Sequence, residues 1–193
     1  MSYHYLVASL PQLFFGHPPP VSCRDFLARC DGVLRRDHLA LLAAFLEGRL
    51  ATGSTFADAW SAREIQLRNA VARFRATRLG VDAGSFQQDH SGYDVRLVQG
   101  VAAALTKPTP LEREQGLDQE RWRLAEELAL ADPFGLGTVL AFAVKLRIAE
   151  RWAALTDAAG RNKIEELMQS LMQPQPARSV GDGSRQARGT KVS

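Results

Sequence analysis

Cysteine is scarce in this sequence, and its apolar runs are short. The two cysteines among 193 residues, Cys23 and Cys30, are seven positions apart. In a helix this spacing separates their Cα atoms by about 10 Å, which exceeds the ~7 Å that a disulfide can bridge. The longest uncharged apolar stretch, residues 133–144, is shorter than the roughly 20 residues of a transmembrane helix. We therefore expect neither a disulfide nor a membrane span.

A signal peptide is not expected either. Residues 1–22 contain no lysine or arginine and are interrupted by Pro11 and by the run Pro18-Pro19-Pro20. A secretory signal has a basic start followed by a continuous apolar segment. The sequence therefore predicts a cytoplasmic protein.

The chain has little excess charge of either sign. It carries 24 basic and 21 acidic residues, a net charge of +3. Residues 174–193 hold four basic residues and one acidic residue, so this tail accounts for the whole excess and residues 1–173 are neutral. A nucleic-acid-binding domain usually has a basic folded surface. We therefore expect no nucleic-acid partner for the body of the chain.

No motif for metal binding or catalysis is evident. The candidate metal ligands are spaced too widely for a zinc site: His17, Cys23, Cys30 and His38. The segment Gly135-Leu136-Gly137 lacks the lysine of a phosphate loop and is interpreted as packing at a helix start. Asp89-His90-Ser91 is more typical of a turn than of a triad, whose members converge from separate elements. The pairs Glu126-Glu127 and Glu165-Glu166 are expected to face water. We expect no enzyme activity, no metal and no cofactor.

Helical periodicity is the dominant pattern that is present. Leucine and alanine are abundant, and apolar residues recur at helical spacing between glycine, proline and aspartate breaks. This predicts an all-α domain of about seven helices over residues 1–173, followed by a disordered basic tail over residues 174–193. The helical segments are 3–10, 22–32, 36–47, 54–79, 93–105, 111–131, 134–155 and 157–172. The first of them could equally form a strand, and residues 134–155 are apolar enough to form a central, buried helix.

Charge is unevenly distributed between two of these helices. Residues 61–79 contain five arginines and one glutamate, whereas residues 111–132 contain seven acidic residues and three arginines. Arg68 and Arg75 are seven positions apart and share a face of the first helix. The pattern indicates solvated faces, or two helices that neutralise each other, or a surface of separated charge that orients a partner.

Three segments resemble proteins of rotary ATPases. The first segment is residues 68–80, RNAVARFRATRLG. The second is residues 132–145, DPFGLGTVLAFAVK, followed by Glu150-Arg151-Trp152 and by residues 161–168, RNKIEELM. Both segments resemble the central-stalk subunit of V-type and archaeal A-type ATPases. That subunit is called C in prokaryotes and d in eukaryotes. The opening YHYLVASLP, residues 3–11, resembles small bacterial proteins encoded among V-type ATPase genes.

This resemblance implies a non-catalytic helical adaptor. Such a protein sits on the membrane proteolipid ring, peripheral to the inner membrane, and holds the lower end of the rotating shaft. Arg68, Arg75 and Arg78 form the densest basic cluster of the folded part and lie in one of the similar segments, so they are the predicted contact with the shaft subunit. The alternative is a helical regulatory or nucleic-acid-associated protein that uses helix 61–79 and the basic tail. A hydrolase or transferase with a non-local site is a third hypothesis.

Overall fold

The computed structural model describes residues 3–155, and these residues form seven α-helices and no strand. The helices are α1 (His4–Ala8), α2 (Cys23–Cys30), α3 (Arg36–Leu46), α4 (Thr55–Leu79), α5 (Val95–Leu105), α6 (Pro110–Ala129) and α7 (Leu136–Ala154), with a 3-10 turn at Gly84–Phe86. The all-α prediction is confirmed, and the first segment is a helix. The predicted helix 157–172 and the predicted tail 174–193 lie outside the described residues.

Local capping determines where several helices begin and end. The Ser22 hydroxyl accepts the Asp25 amide at 3.0 Å, and the Ser54 hydroxyl accepts the Ala57 amide at 3.1 Å. Such bonds satisfy amides that have no partner inside the helix. At the other end of α4, Gly80 adopts φ +67°, a left-handed conformation that terminates the helix and favours glycine. These boundaries agree with the sequence prediction to within one residue.

Helix α7 is the centre of the main core. Eleven of its residues are buried, and it packs against α1, α2, α3, α4 and α6. Phe142 meets Phe26 of α2 in an edge-on ring contact with centroids 4.7 Å apart. The prediction of a central, buried helix is thus confirmed, although α7 begins at Leu136 rather than Phe134, because Gly135 is still extended.

A second apolar cluster joins the C-terminal half of α4 to α5 and the first half of α6. Its largest members are Leu67, Leu97, Val101, Leu105 and Leu117. This cluster fixes the position of the end of α4, where the predicted basic surface lies.

Helical spacing predicts an apolar side of α4 formed by Phe56, Trp60, Ile65, Leu67, Val71 and Phe74, and this prediction is partly wrong. Ile65, Val71 and Phe74 are only half-buried, whereas the polar residues Gln66 and Asn69 are buried. The physical reason is the loop over residues 80–94, which folds back along α4. Gln66 exchanges two hydrogen bonds with the backbone of Asp94 at 2.8 and 3.0 Å, and Asn69 exchanges two with Gln88 at 2.7 and 3.0 Å.

Cys23 and Cys30 are free thiols. Burial raises the pKa of the Cys30 thiol to about 11. Burial, together with the neighbouring Glu150 carboxylate, raises the pKa of Cys23 to about 12. Both groups are therefore protonated thiols at neutral pH and weak nucleophiles.

No helix within residues 3–155 combines the length and the apolar character needed to cross a membrane.

Candidate functional site

The C-terminal end of α4 borders an open cavity of about 370 Å³. Its lining combines apolar side chains with three arginines and one glutamate: Phe74, Leu79, Leu105, Pro110, Arg75, Arg78, Arg113 and Glu114. We call this the α4-end groove. Leu79 is 74% exposed, which is unusual for a large apolar side chain. The groove is thus an apolar surface rimmed by positive charge.

The arginines of this groove differ in what they bind. Arg113 of α6 donates to the Lys107 carbonyl at 2.7 Å and to the Pro108 carbonyl at 3.2 Å, so it holds the loop between α5 and α6. The Arg78 guanidinium lies 5.8 Å from the centre of the Phe74 ring, in a cation–π contact. Neither Arg75 nor Arg78 has a carboxylate partner among residues 3–155. Both charges are therefore free to bind an acidic partner.

Arg68 lies in a different environment from Arg75 and Arg78. It lines a second cavity, and its Nε donates to Oε1 of Glu64 at 2.9 Å. The Arg68 side chain is 51% exposed, whereas that of Glu64 is 6% exposed. The structure therefore brings two of the three predicted arginines into one groove and gives Arg68 a structural partner.

Glu64 is the centre of a buried ion-pair network. Arg121 of α6 donates to both its carboxylate oxygens, from Nε at 3.0 Å and from Nη2 at 3.1 Å. Burial alone would lower the pKa of Arg121, but the Glu64 and Asp118 carboxylates together outweigh it and raise this pKa. The arginine is thus a permanent cation that links α4 to α6.

Asp118 extends this network to α7. Its side chain is 4% exposed and accepts Arg121 Nη1 at 3.0 Å and the Trp152 indole N–H at 2.9 Å. Arg151 of α7 completes the set with a further short hydrogen bond to Asp118. A buried carboxylate needs such partners to offset its lost hydration. Three helices are therefore held together by two carboxylates.

The acidic residues of α6 are largely paired nearby. Arg123 binds Glu120 at 2.7 Å and Glu127 at 2.6 Å within the helix. Glu126 is exposed, as predicted, but binds Lys145 of α7 at 3.1 Å. Between α4 and α6, which both lie within the described residues, the ion pair that neutralises charge is that of Glu64 and Arg121. The acid of this pair lies on the basic helix α4, and the base lies on the acidic helix α6.

The other candidate residues of the sequence lie at a helix start, in a half-buried contact and in a loop. Gly137 lies against Phe56 at the start of α7, so the interpretation of 135–137 as helix-start packing is confirmed. His38 is half-buried and hydrogen-bonds through Nδ1 to the Tyr3 hydroxyl at 2.5 Å. Asp89-His90-Ser91 lies in the loop over residues 80–94.

Sequence reasoning missed the roles of Glu64 and Asp118, and it named Arg151 only as part of a segment that carries the resemblance. One signal was available, because Glu64 is the single acidic residue within the basic stretch 61–79. A single carboxylate in a basic stretch of helix indicates that this residue has a specific partner. Its partner Arg121 is 57 positions away and could not be identified from spacing along one helix.

Comparison with known proteins gives one match. A family model described as "Protein of unknown function (DUF2764)" is similar to residues 95–174 of this chain. The matched range begins at α5 and includes α6 and α7, so it contains Asp118, Arg121 and Arg151. No curated protein and no solved structure matches the chain.

Proposed function

We propose that this chain is a non-catalytic adaptor of a bacterial V/A-type rotary ATPase, which links the rotor shaft to the proteolipid ring. The observation that carries the proposal is the α4-end groove, an apolar surface with two unpaired arginines. Four of its eight lining residues, Phe74, Arg75, Arg78 and Leu79, lie in the segment 68–80, which resembles the central-stalk subunit. In this proposal the protein is cytoplasmic and reaches the inner membrane only through the complex.

The proposed occupant of the groove is an acidic amphipathic helix of the shaft subunit. Leu79 and Phe74 offer an apolar floor, and Arg75 and Arg78 carry positive charge beside it. An amphipathic helix binds such a groove through its apolar face. Arginine suits the rim because its planar fork pairs with a carboxylate through two hydrogen bonds. The Arg68 side chain is 51% exposed, and only this exposed part can contribute to the proposed contact with the shaft subunit.

The second similar segment supports a mechanical role. Lys145 binds Glu126 of α6, and the Glu150 carboxylate accepts the Cys23 amide of α2 at 3.3 Å. Arg151 and Trp152 both bind Asp118. The residues that carry the resemblance therefore connect helices to one another. Such cross-links favour a rigid body, which a part that transmits torque requires.

Association kinetics with the purified shaft subunit test this proposal. Charge at an interface chiefly sets the encounter rate, so the double variant Arg75→Glu, Arg78→Glu is expected to associate about tenfold more slowly, or worse, at low salt. The control Arg24→Glu, Arg36→Glu makes the same change of net charge at two exposed residues of α2 and α3. It should associate at nearly the wild-type rate.

The possible results of this experiment test the proposed function and the proposed contact surface separately. If the wild-type chain does not bind the shaft subunit, the proposed function is wrong. If it binds and both double variants behave alike, the function stands and the α4-end groove is not the contact. Binding to DNA that weakens steeply with salt, without binding to the shaft, would instead favour the nucleic-acid hypothesis.

A further inference from the structure

A second cavity, of about 240 Å³, lies where α4, α6 and α7 meet the end of α3. Four arginines line it, Arg68, Arg121, Arg147 and Arg151, together with three carboxylates. The cavity is distinct from the α4-end groove, although Glu114 borders both. Its wall therefore has more positive than negative charge.

The two buried carboxylates of this wall are already engaged. Glu64 accepts two hydrogen bonds from Arg121 and one from Arg68. Asp118 accepts one each from Arg121, Arg151 and Trp152. Neither carboxylate forms an ion pair with Arg147.

Arg147 of α7 is the cation that this network leaves unpaired. It makes no hydrogen bond or ion pair within residues 3–155, and its Nε is buried. Burial lowers the pKa of Arg147 and the neighbouring Arg121 lowers it further, against the opposing effect of Glu64 and Asp118. Arginine nevertheless stays protonated in proteins. A buried charged donor without an acceptor is unfavourable, so this cavity favours an anion that can accept from Arg147.

Gly48 leaves room for the Arg147 guanidinium beside the backbone. This glycine follows α3 with φ +75°, and a Cβ built on it would lie 2.6 Å from Arg147 Nη1. A larger residue at position 48 would therefore displace the guanidinium from the cavity wall.

We propose that this cavity binds a single phosphate group, as the free ion or as a small phosphate monoester. Arg147 supplies a partly buried guanidinium with a buried Nε, and Arg68 and Arg151 supply partly exposed guanidinium groups at the edge of the cavity. A tetrahedral phosphate offers several acceptor oxygens and two negative charges, which suit three converging arginines. The proposal does not rest on the rotary-ATPase function, because Arg147 and Arg151 lie outside the α4-end groove.

Isothermal titration of the full chain with inorganic phosphate, at constant ionic strength set with chloride, tests the site. We expect saturable binding of one phosphate. Arg147→Gln should weaken it by about tenfold or more, the effect of losing one charge-assisted hydrogen bond. Arg147→Lys, which keeps the charge without the fork, should have intermediate affinity. The control Arg49→Gln removes an exposed arginine one residue after Gly48, outside the cavity, and should leave affinity unchanged.

A parallel titration with glycerol 3-phosphate identifies the source of the phosphate group. Tighter binding than inorganic phosphate assigns the site to a monoester, and weaker or no binding assigns it to the free ion. The proposal is overturned if neither probe binds at millimolar concentration. It is also overturned if a folded Arg147→Gln or Arg147→Lys chain, verified by circular dichroism, binds phosphate as tightly as wild type.

Discussion

Arg121 of α6 binds Glu64 of α4 through two hydrogen bonds of 3.0 and 3.1 Å, across 57 positions of sequence. The base belongs to the acidic helix and the acid to the basic helix. This pairing neutralises the interior of the contact between the two helices. Arg75 and Arg78, near the C-terminal end of α4, have no carboxylate partner among residues 3–155, so their positive charge is not neutralised within the described part of the chain.

Breaking the buried pair should strongly destabilise the fold. Glu64→Gln removes the charge that Arg121 and Arg68 share, and the loss of one partner of a buried ion pair costs about 3–5 kcal/mol. The control Glu47→Gln breaks an exposed pair with Arg49, which is worth about 0–1 kcal/mol. Urea denaturation gives both free energies of unfolding. Equal losses in the two variants would show that the network contributes nothing beyond a surface ion pair.

Reversing Arg68 should act on stability, whereas reversing Arg75 should not. Arg68→Glu places a carboxylate beside buried Glu64 and is expected to lower the free energy of unfolding by more than about 1 kcal/mol, since it both removes a partner and adds a like charge. Arg75→Glu changes an exposed side chain without a carboxylate partner, and surface changes of this kind stay within about 0.5 kcal/mol. Thermal melts followed by circular dichroism compare them. A stable Arg68→Glu chain contradicts the assigned role of Arg68.

The two thiols should make the protein less stable at alkaline pH. Their pKa values, about 12 for Cys23 and about 11 for Cys30, exceed that of a thiol in the unfolded chain. Above about pH 8.5 the unfolded chain therefore binds fewer protons than the native state, and stability falls with rising pH by at most about 1.4 kcal/mol per thiol per pH unit. The slope between pH 8 and pH 10 should be smaller for Cys23→Ala, Cys30→Ala. Parallel slopes for the two chains would contradict the raised pKa values.

Asn69 should control the order of the loop over residues 80–94. The Asn69 side-chain amide donates to the Gln88 carbonyl and accepts the Gln88 amide, so Asn69→Ala removes both hydrogen bonds that tie Gln88 to α4. We expect a loss of about 1–3 kcal/mol and faster hydrogen exchange within this loop. The control Gln99→Ala truncates an exposed amide on α5. Unchanged exchange in the Asn69 variant is the result that would count against this anchor.

The local parts of this fold are predictable from the sequence, and the non-local parts are not. Ser22 and Ser54 bind amides three residues away, so the sequence around each cap contains the whole interaction. Gln66 and Asn69 are buried by a loop that returns from 19 to 28 residues further on. Helical periodicity describes only one helix, and it therefore could not show that a later segment buries these two polar residues.

The same distinction applies to the candidate site. Arg75 and Arg78 could be chosen because they stand close together in a basic stretch. Arg68 differs from these two arginines because it binds Glu64, a buried carboxylate that also binds Arg121 of a later helix. The unpaired state of Arg147 depends on partners from α4 and α6. No spacing rule along one helix contains that information.

Affinity capture of the tagged full chain from native cell extract, with the captured proteins identified by mass spectrometry, tests whether this chain is a rotary-ATPase adaptor. We expect the shaft subunit of a V-type ATPase to be enriched with the wild-type chain and with Arg24→Glu, Arg36→Glu, and to be lost with Arg75→Glu, Arg78→Glu. Absence of every rotary-ATPase subunit from the wild-type capture would contradict the proposed function.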